Sequence, residues 1–220
     1  MNTLAIPDTH FPFEHKRALN HCVTTYERHK CKKVICTGDM IDHHRISRHT
    51  TEPDAMGAID EIKLTLKCIK KWGEVFPVMD IILGNHDVIP YRQAKELGIP
   101  DYYLKDLQTI YKMPKRWKFH KKLVKGNVLY LHSAGSGKYA AINKSREQSM
   151  SVVVGHTHRN GGVLYYSNPK HLYFGLNVGC LIDKNAYAMR YFEGEPTLGC
   201  GVVYSNEEAY FVPMRMGETK

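Results

Sequence analysis

Five short apolar runs recur along this chain, and each one stops at a side chain that can bind a metal or move a proton. They are TLAIPDTH (3–10), KVICTGD (33–39), VMDIILGNHD (78–87), NVLYLHS (127–133) and SVVVGHTH (151–158). Each is rich in Val, Ile and Leu and short enough to be a buried strand. Helices fit between several of them. The segment from Asp54 to about Val75 places Ile59, Ile62, Leu66 and Ile69 on one face, with Lys63, Lys67, Lys70 and Lys71 largely elsewhere. That lysine stripe reads as a solvated helix face. Shorter helical patterns cover Asp101 to Lys112, closed by Pro114, and Lys138 to Met150. The last third changes character: LYFGLNVGCLID, GCGVVYS and EAYFVPM read as β-hairpin material. The order is β-α-β-α-β, then mainly β. The expected class is α/β, with two packed mixed β-sheets flanked by helices. In open α/β sheets the site lies beyond the carboxyl ends of the strands.

Composition narrows the setting. A chain of 220 residues with no internal repeat, low-complexity tract or linker is expected to form one domain over 1–220. No apolar run approaches the length of a membrane span, and the N-terminus does not read as a signal peptide. The six cysteines are scattered without a CxxC pair, and Cys36 and Cys68 sit in apolar patterns as expected buried thiols. A reduced, cytoplasmic setting is therefore expected. The formal net charge of +9 suggests an anionic partner: a nucleotide, a nucleic acid or another phosphate compound.

The strand ends form a constellation. Asp8 with His10, and His156 with His158, are spaced by two residues, so in extended chain each pair shares one face. Asp39, Asn85 with His86, and His132 close the other runs. Asp, Asn and neutral His offer oxygen and nitrogen donors, which suit Mn²⁺, Fe²⁺, Zn²⁺ or Ni²⁺, with no Cys placed to compete. Two divalent ions held by only two carboxylates, Asp8 and Asp39, leave a field that favours an anionic substrate.

Taken in order, Asp8-Thr9-His10, Gly38-Asp39-Met40-Ile41-Asp42, Gly84-Asn85-His86-Asp87, His132 and Gly155-His156-Thr157-His158 resemble the calcineurin-like metallophosphoesterase superfamily. The resemblance implies the four-layer sandwich of that family and two divalent ions, Mn²⁺ first among the candidates. One ion would be held by Asp8, His10 and His158, the other by Asn85, His132 and His156, with Asp39 as the bridge. Such pairs of ions lie about 3.5–4 Å apart. A hydroxide between them would attack phosphorus in line. His86 would serve the leaving oxygen, Asp87 would orient His86, and Asp42 would support the ligands without being one. The expected activity is that of a phosphodiesterase on nucleotides or nucleic acid ends. The alternatives are a phosphomonoesterase acting on nucleotides or phosphoproteins, and a binding module that keeps the fold without turnover.

The family's protein phosphatases carry Arg-Gly after the second motif and GNHE at the third. Here His43 and His44 follow Asp42, and the third motif is GNHD, which favours the diesterase and nuclease branches. Asn177-Val-Gly-Cys180 resembles a degraded form of the family's Asn-Pro-Gly-Ser turn. The loop of His43, His44, Arg45, Arg48 and His49 has two readings, a solvated surface or a substrate contact. Arg159 is similar. Lys138 follows a stretch that fails the phosphate-loop spacing, and it reads as a helix-start lysine that can still reach a phosphate. The histidines at 15, 21, 29, 120 and 171 have no motif context. No capping domain is visible, so a small substrate or an exposed strand end is expected, and a homodimer could supply a cap.

Overall fold

All five apolar runs are strands in the computed structural model, which describes residues 1–48, 52–186, 194–204 and 208–215. In chain order they are β1 (Thr3–Ile6), β2 (Lys33–Cys36), β3 (Met79–Ile82), β6 (Val128–Leu131) and β7 (Ser151–Val154). Between and after them come β4 (Trp117–His120), β5 (Leu123–Lys125), β8 (Gly161–Ser167), β9 (Leu172–Val178), β10 (Gly199–Val203) and β11 (Ala209–Pro213). The helices are α1 (Ala18–Arg28), α2 (Ala58–Val75), α3 (Ile89–Glu96), α4 (Leu107–Ile110) and α5 (Ala140–Gln148).

Two mixed sheets result. The first has the order β11-β10-β1-β2-β3-β4, and the second β5-β6-β7-β9-β8. β1 to β4 run parallel, while β10 lies antiparallel between β1 and β11. In the second sheet β6, β7 and β9 are parallel, with β5 and β8 antiparallel at the edges.

The period-two alternation of a strand sorts the core into layers. Leu4 and Ile6 join Trp72 of α2 and Leu19 of α1 on the outer side of the first sheet. Ala5, Ile35 and Ile82 point the other way, against Tyr130, Val153 and Phe174 between the sheets. Leu129, Val152 and Val154 meet Ala141 of α5 on the far side. The strands are buried on both faces, which is why they read as unbroken apolar runs.

Several sequence expectations shift. The long helix starts at Ala58 rather than Asp54, and Ile59 is 64% exposed. Its buried positions are Glu61, Thr65, Ile69, Trp72 and Gly73, so the inward face is rotated from the one the aliphatic spacing suggested. Asp101 to Lys112 is not one helix. It is a 3₁₀ turn at Asp101–Tyr103 and then the single turn α4. The Asp106 carboxylate accepts from the Thr109 N–H and starts that turn afresh. Cys68 is only half-buried. Among the described residues no helix is long and apolar enough to cross a membrane.

Candidate metal centre

Strands that run parallel end on the same side, so β1, β2 and β3 deliver Asp8, Asp39 and Asn85 to one rim. β6 and β7 of the second sheet deliver His132, His156 and His158 to the same place. The local backbone is bent to do so. His10, Asp39 and His156 have φ of 50°, 46° and 64°, the left-handed region that costs a non-glycine residue energy. Gly84 makes room: a Cβ there would collide with the Asp39 carboxylate and backbone nitrogen.

The side chains form two donor groups at the strand ends, Asp8–His10–His158 and Asp39–His132–His156, and a third, His10–Asp42–His86, that shares His10. In the first, His158 Nε2 lies 3.1 Å from both Asp8 Oδ2 and His10 Nε2. In the second, His132 Nε2 lies 3.1 Å from Asp39 Oδ2 and 2.9 Å from Asn85 Oδ1. Asp39 Oδ2 is also 3.9 Å from His10 Nε2, so this one oxygen stands between the groups.

The donor chemistry fits two cations. His10 gives its Nδ1–H to Asp42 Oδ1 at 2.6 Å, and His132 gives its Nδ1–H to the Thr37 carbonyl at 3.0 Å. With its ring neutral, the His132 Nε2 lone pair then faces the Asp39 and Asn85 oxygens at about hydrogen-bond distance. Positive charge between them relieves this. Burial opposes charge on His132, but Asp39 and Asp8 outweigh it and push its pKa up to about 9. A divalent ion answers the same field without a proton. Despite burial, the surrounding histidines hold Asp39 well below the usual carboxylate range and also lower Asp8. Burial pushes the Cys36 and Cys180 thiols well up, so neither competes as a ligand.

The third motif divides its work differently from the expectation. Asp87 does not orient His86. Its two oxygens accept from the backbone N–H groups of Ile41 and Gly84, at 3.0 and 2.9 Å, and so tie the second motif to the third. Asp42 holds His86 instead: His86 Nδ1 lies 2.8 Å from the Asp42 carbonyl and 3.2 Å from its carboxylate. Burial disfavours charge on His86, but Asp42 and Asp39 overcome it and push the pKa up to about 10. The ring stands edge-on to His10, with centroids 4.6 Å apart. Asp42 therefore serves two histidines at once, supporting a metal donor on one side and His86 on the other. The backbone bonds of Asp87 and the Thr37 carbonyl carry no side-chain signature, which is why the motifs alone did not show them.

The candidate substrate contacts separate. His43 is buried, with Nδ1 donating to the His86 carbonyl and Nε2 accepting from the Tyr111 hydroxyl at 2.8 Å. Burial pushes its pKa down to about 4, so it is a neutral packing group and not a cation for substrate. His44 is buried as well, and Arg48 pairs with Glu96. Arg45 is exposed, and its backbone N–H is held by Glu61. His49 lies outside the described residues. Lys138 and Arg159 come together, lining one cavity of about 300 Å³ with Asn160, Asn177 and Thr197. That cavity begins at the residue after His158.

Residues 1–189 match the family model of the calcineurin-like phosphoesterase superfamily domain. No curated protein is a sequence match. Among solved structures, Vacuolar Protein Sorting 29 from Cryptosporidium parvum is similar, with a TM-score of 0.51 and 13% identity over 100% of this chain and 94% of that one. Nuclease MPE from Pseudomonas putida has a TM-score of 0.48 and 12% identity, over 91% and 82% of the two chains. YfcE, a phosphoesterase from E. coli, has a TM-score of 0.44 and 12% identity, over 92% and 87%. At 13% identity the likeness to Vacuolar Protein Sorting 29 is one of fold. The family match, by contrast, takes in every strand end that carries a donor: the chain belongs to the calcineurin-like phosphoesterase superfamily.

Proposed function

We propose that this protein is a dinuclear metal-dependent phosphodiesterase acting on nucleotide or nucleic acid phosphodiesters. Asp8, His10 and His158 would hold one divalent ion, and Asn85, His132 and His156 the other, with Asp39 shared. Mn²⁺ is the first candidate for both. Bound there, the ions would supply Lewis-acid activation of water and neutralise charge on the phosphate oxygens.

The observation that carries catalysis, rather than binding alone, is His86. Its Nδ1 is taken by Asp42, which leaves Nε2 as the ring atom able to meet a substrate. Asp42 beside it favours the protonated ring. An imidazolium at the edge of the donor cluster can give a proton to a departing alkoxide, or stabilise its charge. Asp87 holds the loop backbone so that Asn85 and His86 keep their separate tasks. Lys138 and Arg159 add positive charge beside His158, where a substrate extending past the reacting phosphate would lie.

The test compares hydrolysis of bis-p-nitrophenyl phosphate with that of p-nitrophenyl phosphate, using metal-stripped protein with Mn²⁺ restored. A strong preference for the diester is expected. A preference for the monoester would replace this reading with a phosphomonoesterase. Two bound metals with no turnover of either would point to the binding module.

A further inference from the structure

The positive charge of this chain is concentrated in one stretch. Residues 112–125 hold seven of the 31 Lys and Arg residues and no Asp or Glu, in a chain of net charge +9. Lys112, Lys115, Arg116, Lys118, Lys121 and Lys122 are all exposed. The seventh, Lys125, is held with His120 by Asp80, at 3.5 and 2.7 Å. Among the described residues no acid forms an ion pair with the other six.

The fold turns this stretch into a line. β4 is an edge of the first sheet and β5 an edge of the second, and Lys121 and Lys122 join them. Trp117 and Phe119 pack into the core on one face of β4. Lys118 and His120 therefore point from the other face, flanked by Arg116 and Lys122. Arg116 lies in the turn before β4, and Lys121 and Lys122 lie in the bend after it, so the row follows the sheet edge from one end of the strand to the other.

It also has a direction. β4 is parallel to β3, and the Leu83 N–H donates to the His120 carbonyl two residues before Asn85. The line therefore ends on the rim that carries the metal donors. At its other end Lys112 shares a groove of about 520 Å³ with Lys67 and Lys70 of α2. Lysines on an edge strand can serve simply to discourage pairing with another sheet. That purpose needs one or two charges on the strand, not a run that begins before it and continues past it.

We propose that this edge is a binding track for single-stranded nucleic acid, leading its phosphates to the metal centre. The proposal rests on the phosphodiesterase reading and extends it, making a polymer rather than a free nucleotide the substrate. Its energy comes from counterion release along the row, so it is sequence-independent and sensitive to salt.

The test uses the metal-loaded full chain and a fluorescent single-stranded phosphorothioate oligonucleotide long enough to span the row. Binding is titrated across a range of salt concentrations. The variant R116Q/K118Q/K121Q/K122Q removes four exposed charges and touches none of the metal donors. It should bind at least about tenfold more weakly, with the slope of log K against log salt reduced by about 3. Its hydrolysis of bis-p-nitrophenyl phosphate should match that of the unaltered protein. Unchanged affinity and slope would overturn the track. So would a variant that self-associates yet binds the strand as before, because the lysines would then only guard the edge. Failure of the unaltered protein to cleave the small diester would sink the phosphodiesterase reading, while the binding titration would still report on the track.

Discussion

At the scale of single residues, the metal donors and His86 should fail in different ways. Asn85→Ala and His156→Ala each remove a donor from the group around His132. Each should lower occupancy by one ion and cut turnover by about 100-fold or more, read by metal analysis beside the rate. His86→Ala should keep both ions. It should slow esters with poor leaving groups by about 10²–10⁴-fold and p-nitrophenyl esters far less, since those need little help in departing. Equal slowing of both substrates would remove His86 from the leaving group. The candidate donors stood out in the sequence as ordered motifs at the ends of apolar runs, but strand spacing was not the reason they converge. All of them follow the strands, His10 and His156 are left-handed, and His156 and His158 fall into different donor groups. The choice between Asp42 and Asp87 as the partner of His86 was not legible. Both lie in the motifs, and only the path of the backbone shows that Asp87 is used up by the amides of Ile41 and Gly84.

Elements were legible in proportion to how fully they are buried. The five strands buried on both faces stood out as Val, Ile and Leu runs. α1 and α3, and the edge strands β4, β5 and β8, alternate with exposed polar residues and were missed. The inward face of α2 was misjudged because it uses Glu61, Thr65 and Gly73 as well as aliphatic residues. A second acid sits at the outer seam of that helix. The Glu14 carboxylate accepts from the Cys68 thiol at 3.5 Å, and burial pushes its pKa up to about 7. A raised acid binds its proton more tightly folded than unfolded. Its contribution to stability therefore falls as pH rises from about 4.5 to about 7, and stays low above that. Glu14→Gln should be more stable than the parent at pH 8 by about 2–3 kcal/mol and equal to it at pH 4, by urea unfolding. An equal gain at both values would mean that the charge is not the cause.

For the molecule as a whole, ions bound in the candidate donor cluster would fasten two sheets together. Asp8, His10, Asp39 and Asn85 follow strands of the first sheet, and His132, His156 and His158 follow strands of the second. Ions that bind only the folded chain stabilise it by mass action, by about 2.7 kcal/mol at a hundredfold excess over Kd. Chelation should therefore lower the melting temperature, and Mn²⁺ should restore it. A melting temperature unmoved by chelator would argue against ions spanning the sheets.

β1 also sets the timetable by which this chain can fold. Its antiparallel neighbour β10 comes roughly 200 residues later, and contacts so distant in sequence form slowly. Until then one edge of β1 is open to any stray strand, and the chain is at its most aggregation-prone. The Asp8 carbonyl likewise waits for the Leu181 N–H, from beyond the last donor strand. Leu181 must therefore leave the ribosome before the backbone of Asp8 is secured, and a shielding chaperone would have the most to offer in that interval.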